Sequence, residues 1–307
     1  MKEISNFRLV PTFVIIMIPG DKIRLIECPR DAMQGWKPLI PTVEKTRYIN
    51  ALLKVGFDTI DFGSFVSVKA IPQLADTSQV IKGLRLGSSA TKLLAIVANE
   101  RGATDALVFD EIAFLGYPFS ISPTFQLRNT NSTIEGSLVT VEAIQNLCVK
   151  TNKALVIYIS MGFGNPYHDA YSEALVQEWV DKIVSMGITI ISVADTIGLA
   201  TPAQVSSVMN ILIPAYPSIE IGVHLHCASS NWQAKADAAI QQGCRRLDGA
   251  LRGIGGCPMA GDDLVGNMDT ELMIPYFDKL NLLNNIDKDA LANASRIAAE
   301  IFNNGHF

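Results

Sequence analysis

Strand-like apolar runs alternate with amphipathic helical runs from Lys22 onward, and this alternation restricts the possible folds more than any other feature of the chain. The runs KIRLIEC (22–28), DTIDFG (58–63), KLLAIVA (92–98) and YPFSIS (117–122) read as strands. So do ALVIYIS (154–160), ITIISVAD (188–195), IEIGVHLH (219–226) and CRRLDGAL (244–251). Helical segments sit between them, among them 41–56, 172–187 and 201–214. Several end in Gly and two open on Pro-Thr or Thr-Pro, which suits helix stops and starts. Eight strands alternating with helices over about 250 residues describe an α/β fold of the (β/α)8 TIM-barrel type. An open doubly wound sheet fits less well, because no G-x-G-x-x-G follows a strand. No composition break divides the chain. Residues 1–20 are therefore expected to be an N-terminal extension, and 21–307 a single barrel domain with additional C-terminal helices from Asn281 onward.

Bulk properties exclude several classes. With 307 residues, 49% of them hydrophobic, the chain can bury a core of barrel size. The net charge is −5 and no long basic run appears, so no nucleic-acid partner is expected. The apolar stretch LVPTFVIIMI (9–18) is too short to span a bilayer, and the PGDK that follows is no signal-peptidase site, so no membrane association is expected. Cys28, Cys148, Cys227, Cys244 and Cys257 are odd in number and contain no C-x-x-C pair. This argues for a reducing compartment, the cytoplasm, and against a disulfide framework or structural zinc.

Barrels of this type carry their active sites at the C-terminal ends of the strands, so the polar residues there matter most. The seventh run ends in His224-Leu-His226, and residues i and i+2 of a strand share a face. A buried histidine pair is often purely structural when both rings find partners. Asp31, just past the first strand beside Arg30, shifts the balance, because two imidazoles and a carboxylate at a barrel mouth make a divalent-cation site. Asp61 stands near the end of the second strand, and Asp195-Thr196 at the end of the sixth, where helix capping is the plainer role. The Gly-rich loop 251–267 follows the eighth strand. It carries Cys257 directly after Gly255-Gly256 and ends in Gly266-Asn267, whose amide oxygen offers a further hard ligand.

These segments together resemble 3-hydroxy-3-methylglutaryl-CoA lyase, one family in a wider group of metal-dependent barrel lyases and Claisen-type condensing enzymes. The matching motifs are P-R-D at 29–31 with Gln34 and Lys37, S-F-V-S-x-K at 64–69 with P-Q at 72–73, D-T-I-G at 195–198, H-x-H at 224–226 and G-G-C-P at 255–258. The resemblance implies Asp31, His224, His226 and Asn267 as ligands of a divalent cation, Mg²⁺ or Mn²⁺. It implies Arg30 as the group that stabilises an enolate, Cys257 as a mobile-loop thiol, and Lys37 near the phosphates of an acyl-CoA substrate. A homodimer is also expected. Four departures stand out: Asp61 where the family has Glu, Cys227 after the histidine pair where Asp is common, Trp36 beside Lys37, and a loop from Cys257 to Asn267 longer by one residue.

The implied reaction cleaves 3-hydroxy-3-methylglutaryl-CoA to acetyl-CoA and acetoacetate. Asp61, His224 and Cys257 are the candidates for moving protons. Two alternatives use the same metal site: condensation of an acyl-CoA with a 2-oxo acid, and aldol cleavage of a small hydroxy-oxo acid. A barrel that binds a ligand without catalysis is a further class, which the set Arg30, Asp31, His224, His226 and Asn267 opposes.

Overall fold

Runs such as TIDFGS and ALVIYIS are buried on both faces because each strand lies between a filled barrel interior and a layer of helices. The computed structural model describes residues 22–256 and 265–302. The expected N-terminal extension over 1–20 and the thiol of Cys257 both lie outside the described residues.

In chain order the first half comprises β1 (Arg24–Glu27), α1 (Pro29–Gln34), α2 (Thr42–Leu52), β2 (Thr59–Ser64), α3 (Thr77–Lys82), β3 (Lys92–Ile96), α4 (Glu100–Leu107), β4 (Ile112–Ser120), α5 (Pro123–Thr130) and α6 (Ile134–Lys150). Then come β5 (Ala154–Ser160), α7 (Glu173–Ser185), β6 (Ile190–Asp195), α8 (Pro202–Ala215), β7 (Glu220–Leu225), α9 (Trp232–Gln241), β8 (Arg246–Gly249), α10 (Thr270–Lys279) and α11 (Lys288–Phe302). The strands pair in parallel in sequence order, and β8 closes on β1 with Arg24 opposite Arg246 and Glu27 opposite Gly249. The chain is a (β/α)8 barrel with C-terminal helices, as the alternation implies. Among the described residues no helix is long and apolar enough to cross a membrane.

Local chemistry sets the helix starts. Asn99, Ser122, Thr133 and Ser172 each accept a backbone N–H of the first turn, and Thr201 with Gln204 forms a full capping box. Most element boundaries fall within a few residues of the expected ones. The fourth strand is the exception: it begins at Ile112, five residues ahead of the expected Tyr117. Gly116 interrupts the run and disguises its first half. Gly116 is the last residue that β4 pairs with β3, and its carbonyl accepts from Val97. Pro118, two residues on, faces the same way beyond the end of that ladder, so its missing N–H breaks no rung there. At the tail, helix resumes only at Lys288, after the segment 280–287.

Trp36 has a packing explanation. It is buried, with its ring edge-on to Phe302 of α11 at a centroid distance of 5.2 Å. Phe302 also meets Tyr48 of α2, so the C-terminal helix closes over the barrel beside β1. At the opposite end of the barrel, Arg246 fills the interior. It lies across Gly222, where a Cβ would come within 2.8 Å of its stem, and it pairs with Glu220 at 3.2 Å.

Candidate active site

The short helix α1 begins with Pro29 at its first turn, immediately after β1, and projects Arg30, Asp31 and Gln34 over the C-terminal mouth of the barrel. Arg30 is buried between two carboxylates. Its Nη2 and Nε donate to Asp61 Oδ2 at 2.5 and 3.0 Å, and its Nη1 donates to Asp31 Oδ1 at 3.0 Å and to Gln34 Oε1 at 2.9 Å. Asp31 accepts from all sides: Gln34 Nε2 at 2.6 Å on Oδ1, and Asn267 Nδ2 at 2.7 Å and the Gly256 N–H at 3.3 Å on Oδ2. Burial alone would raise its pKa. The opposing pull of Arg30, His226 and His224 outweighs burial and holds the carboxyl well below the usual range. Asp31 is therefore ionised.

The two histidines reach the site from β7. His224 ends up beside β8, where its Nδ1 lies 3.0 Å from Asp248 Oδ2. His226 lies just past the strand, bridged to Asn267, with its Nδ1 2.9 Å from the carbonyl of Val265. A carbonyl can only accept, so Nδ1 of His226 carries the proton and Nε2 presents a lone pair; the Asp248 carboxylate imposes the same tautomer on His224. Burial, then the neighbouring His224, pushes the His226 pKa down to about 4, so this ring is neutral and able to ligate at neutral pH. Burial also opposes the charged form of His224, but the hydrogen bond and charge of Asp248 raise it above the ordinary value.

One ligand atom from each of Asp31, His224 and His226 lies within 4.8 Å of the others. An ionised carboxylate with two imidazole lone pairs is a donor set that fits a divalent cation. The structure brings Asn267 against this group, with its Nδ2 donating to Asp31 and to the Ile254 carbonyl at 2.9 Å. Gly255 makes that approach possible: a Cβ there would lie 2.1 Å from Asn267 Nδ2 and 2.7 Å from Asp31 Oδ2.

Arg30, Asp31, Gln34, His224 and His226 line the buried end of a cavity of about 530 Å³ whose exposed end is lined by Arg128, in the last turn of α5, and Asn131 just after it. A larger, open groove of about 1360 Å³ lies at the other end of the barrel, among Lys54, Arg85 and Lys92, and holds none of these groups. Two expected residues are placed differently from the rest. Asp61 is fully buried and does not line the cavity; it reaches the site only through Arg30, and burial pushes its carboxyl up to about 6 despite the Arg30 charge. Lys37 is exposed on the segment after α1, away from the cavity lining. That segment is held by Gln73, which donates to the carbonyls of Trp36 and Pro38 and accepts from the Ile40 N–H.

The sequence reading did not single out Asp248, Lys235 or Glu27. Asp248 sits within a strand, and only the register of β7 on β8 brings it to His224. Lys235 carried a weak signal: Trp232, Lys235, Ala236, Ala239 and Ile240 follow the helical period, which puts this lysine on the buried face of α9. Glu27 is buried beneath the site, where Oε1 accepts the Leu251 N–H at 2.8 Å and Oε2 accepts Thr270 Oγ1 at 2.7 Å. Burial raises its carboxyl to about 8.

The chain is similar to several known lyases. The hydroxymethylglutaryl-CoA lyase YngG of Bacillus subtilis is 32% identical over 271 residues, covering 87% of this chain and 89% of that protein. The mitochondrial hydroxymethylglutaryl-CoA lyase of Homo sapiens is 29% identical over 303 residues, covering 98% of this chain and 91% of the relative. Among solved structures, an HMG-CoA lyase from Acinetobacter baumannii in complex with coenzyme A and 3-methylmalate superposes with a TM-score of 0.85 at 30% identity, over 93% of each chain. A family model described as HMGL-like matches residues 23–298, nearly the whole described barrel, and the chain belongs to that family.

Proposed function

We propose that this chain cleaves 3-hydroxy-3-methylglutaryl-CoA to acetyl-CoA and acetoacetate. The observation that carries the reading is the meeting of Asp31, His224 and His226 at the buried end of a cavity that Arg30 also lines. Similarity to lyases of that name over most of the chain supports the substrate class.

Asp31, His224, His226 and Asn267 would hold a divalent cation, with Mg²⁺ or Mn²⁺ best suited to a set of hard oxygen and imidazole donors. Once bound, the cation supplies Lewis-acid activation of the substrate hydroxyl and carboxylate. In the cleavage the C3 hydroxyl loses a proton and the C2–C3 bond breaks. The electron pair passes to the thioester carbonyl as an enolate, and the enolate carbon then takes up a proton. Arg30 sets a fixed positive charge against the developing enolate oxygen, already oriented by Asp31, Gln34 and Asp61. Asp61 is the counter-ion that holds this guanidinium in place.

Of the three groups proposed for proton transfer, His224 has its Nδ1 engaged by Asp248 and would offer Nε2 to the cation. Asp61 meets the site through Arg30 and serves as its counter-ion, so the proton work falls to the loop thiol of Cys257. The CoA moiety leaves through the exposed end of the cavity, where Arg128 faces its phosphates and Lys37 supplies a more distant charge. The protein works in the cytoplasm, a reading supported by the free buried thiols of Cys28, Cys148, Cys227 and Cys244. The homodimer rests on the family resemblance.

Product analysis tests the proposal. The metal-loaded protein should release acetyl-CoA and acetoacetate in equal amounts from the thioester. Consumption of the thioester with other products would reject it.

A further inference from the structure

Lys235 is 1% exposed, on the inward face of α9. A lysine this deeply buried must have its three donors satisfied or lose its charge. Here each donor has an acceptor: Asp195 Oδ2 at 2.8 Å, the His226 carbonyl at 3.0 Å and the Gly198 carbonyl at 3.3 Å. The acceptors come from the end of β6, the loop after it, and the residue just past β7. With Cys227 rather than Asp after the histidine pair, Asp195 is the carboxylate in hydrogen-bond contact with this ammonium.

His226 lies just beyond the last residue of β7, between the end of the β6–β7 ladder and its bridge to Asn267. Its N–H donates to the Asp195 carbonyl at 3.3 Å, its carbonyl accepts from Lys235, and its ring is held by Val265. Asp195 Oδ2 also accepts the Ala200 N–H at 3.1 Å, which ties the same loop together. We infer that Lys235 is a positioning residue for the cation site: by clamping the His226 backbone to the β6 loop, it sets the ring that the proposed site uses as a ligand. The inference rests on the cation site proposed above.

Mn²⁺ titration of the metal-stripped full chain, read by the electron paramagnetic resonance signal of free Mn²⁺, tests the inference without relying on turnover. Lys235→Met should weaken Mn²⁺ binding by roughly 10–100-fold while circular dichroism stays native. The double variant Asp195→Asn/Lys235→Met removes the unpaired buried carboxylate as well. It should regain the melting temperature lost by the single variant but not the Mn²⁺ affinity, because the His226 carbonyl still lacks its donor. Wild-type Mn²⁺ affinity in Lys235→Met would overturn the inference. So would a double variant that recovers affinity together with stability, since Lys235 would then only neutralise Asp195. If Lys235→Met does not fold, the affinity of the double variant decides in the same two directions. Absence of Mn²⁺ binding in the wild type would be a different failure, that of the cation site itself, and the inference would fall with it.

Discussion

The Nδ1 of His224 lies 3.0 Å from Oδ2 of Asp248 on the adjacent strand. The carboxylate fixes the tautomer of the ring and increases the basicity of Nε2, the nitrogen left for a cation. Replacing Asp248 by Ala should weaken Mn²⁺ affinity by roughly 10–100-fold. Asn, which can still accept from Nδ1–H but carries no charge, should cost less. Metal titration of the two variants checks both the direction and the order.

Arg30 is held by Asp31, Gln34 and Asp61, so its charge is in place before substrate arrives. Arg30→Gln should lower kcat by roughly 100–1,000-fold, as loss of one preorganised donor does elsewhere. KM for the thioester should change much less. Steady-state kinetics on a variant with a native circular dichroism spectrum tests this, and a near-normal kcat would remove Arg30 from the chemistry.

Asp61 sets a pH dependence. Burial pushes its carboxyl up to about 6, above the ordinary carboxylate range. The ionised form pairs with Arg30 and holds its charge in place, so that form is the active one. Activity should fall as pH drops through about 6 and level off above it. In Asp61→Asn this acidic limb should vanish from the kcat profile, at a much reduced rate.

Glu27 makes the opposite kind of contribution, to stability. Its folded pKa is raised to about 8, against an ordinary value of 4.5. Between those two values the folded chain holds a proton that the unfolded chain has released, so stability from this group falls as pH rises. The slope is at most about 1.4 kcal/mol per pH unit. Glu27→Gln keeps the shape, cannot ionise, and should flatten the fall in melting temperature between pH 5 and 8, a window of about three units.

The barrel was legible in the sequence where one chemical signal dominated. The seven-residue run ALVIYIS is β5 from end to end, and H-x-H at the end of an apolar run, taken together with Asp31, suggested a cation site. Legibility failed where the decisive fact is tertiary. Gly116 concealed the first half of β4, while Pro118 is harmless within it because the ladder to β3 ends at Gly116. Asp61 read as a carboxylate at the barrel mouth, but its short side chain ends at Arg30, inside the wall. Asp248 and Lys235 gave no motif; one is set by strand register and the other by helical phase against three acceptors from other elements. The sequence thus carries the proposed ligands more openly than the groups proposed to aim them.

The central claim is that the histidine pair and Asp31 bind a cation the reaction requires. The most direct measurement is acetoacetate release from 3-hydroxy-3-methylglutaryl-CoA by protein stripped of metal and then supplied with Mg²⁺ or Mn²⁺. The account predicts negligible release from the stripped protein and restored release on adding either ion. Equal release with and without metal, or no release from protein that has taken the metal up, would contradict it.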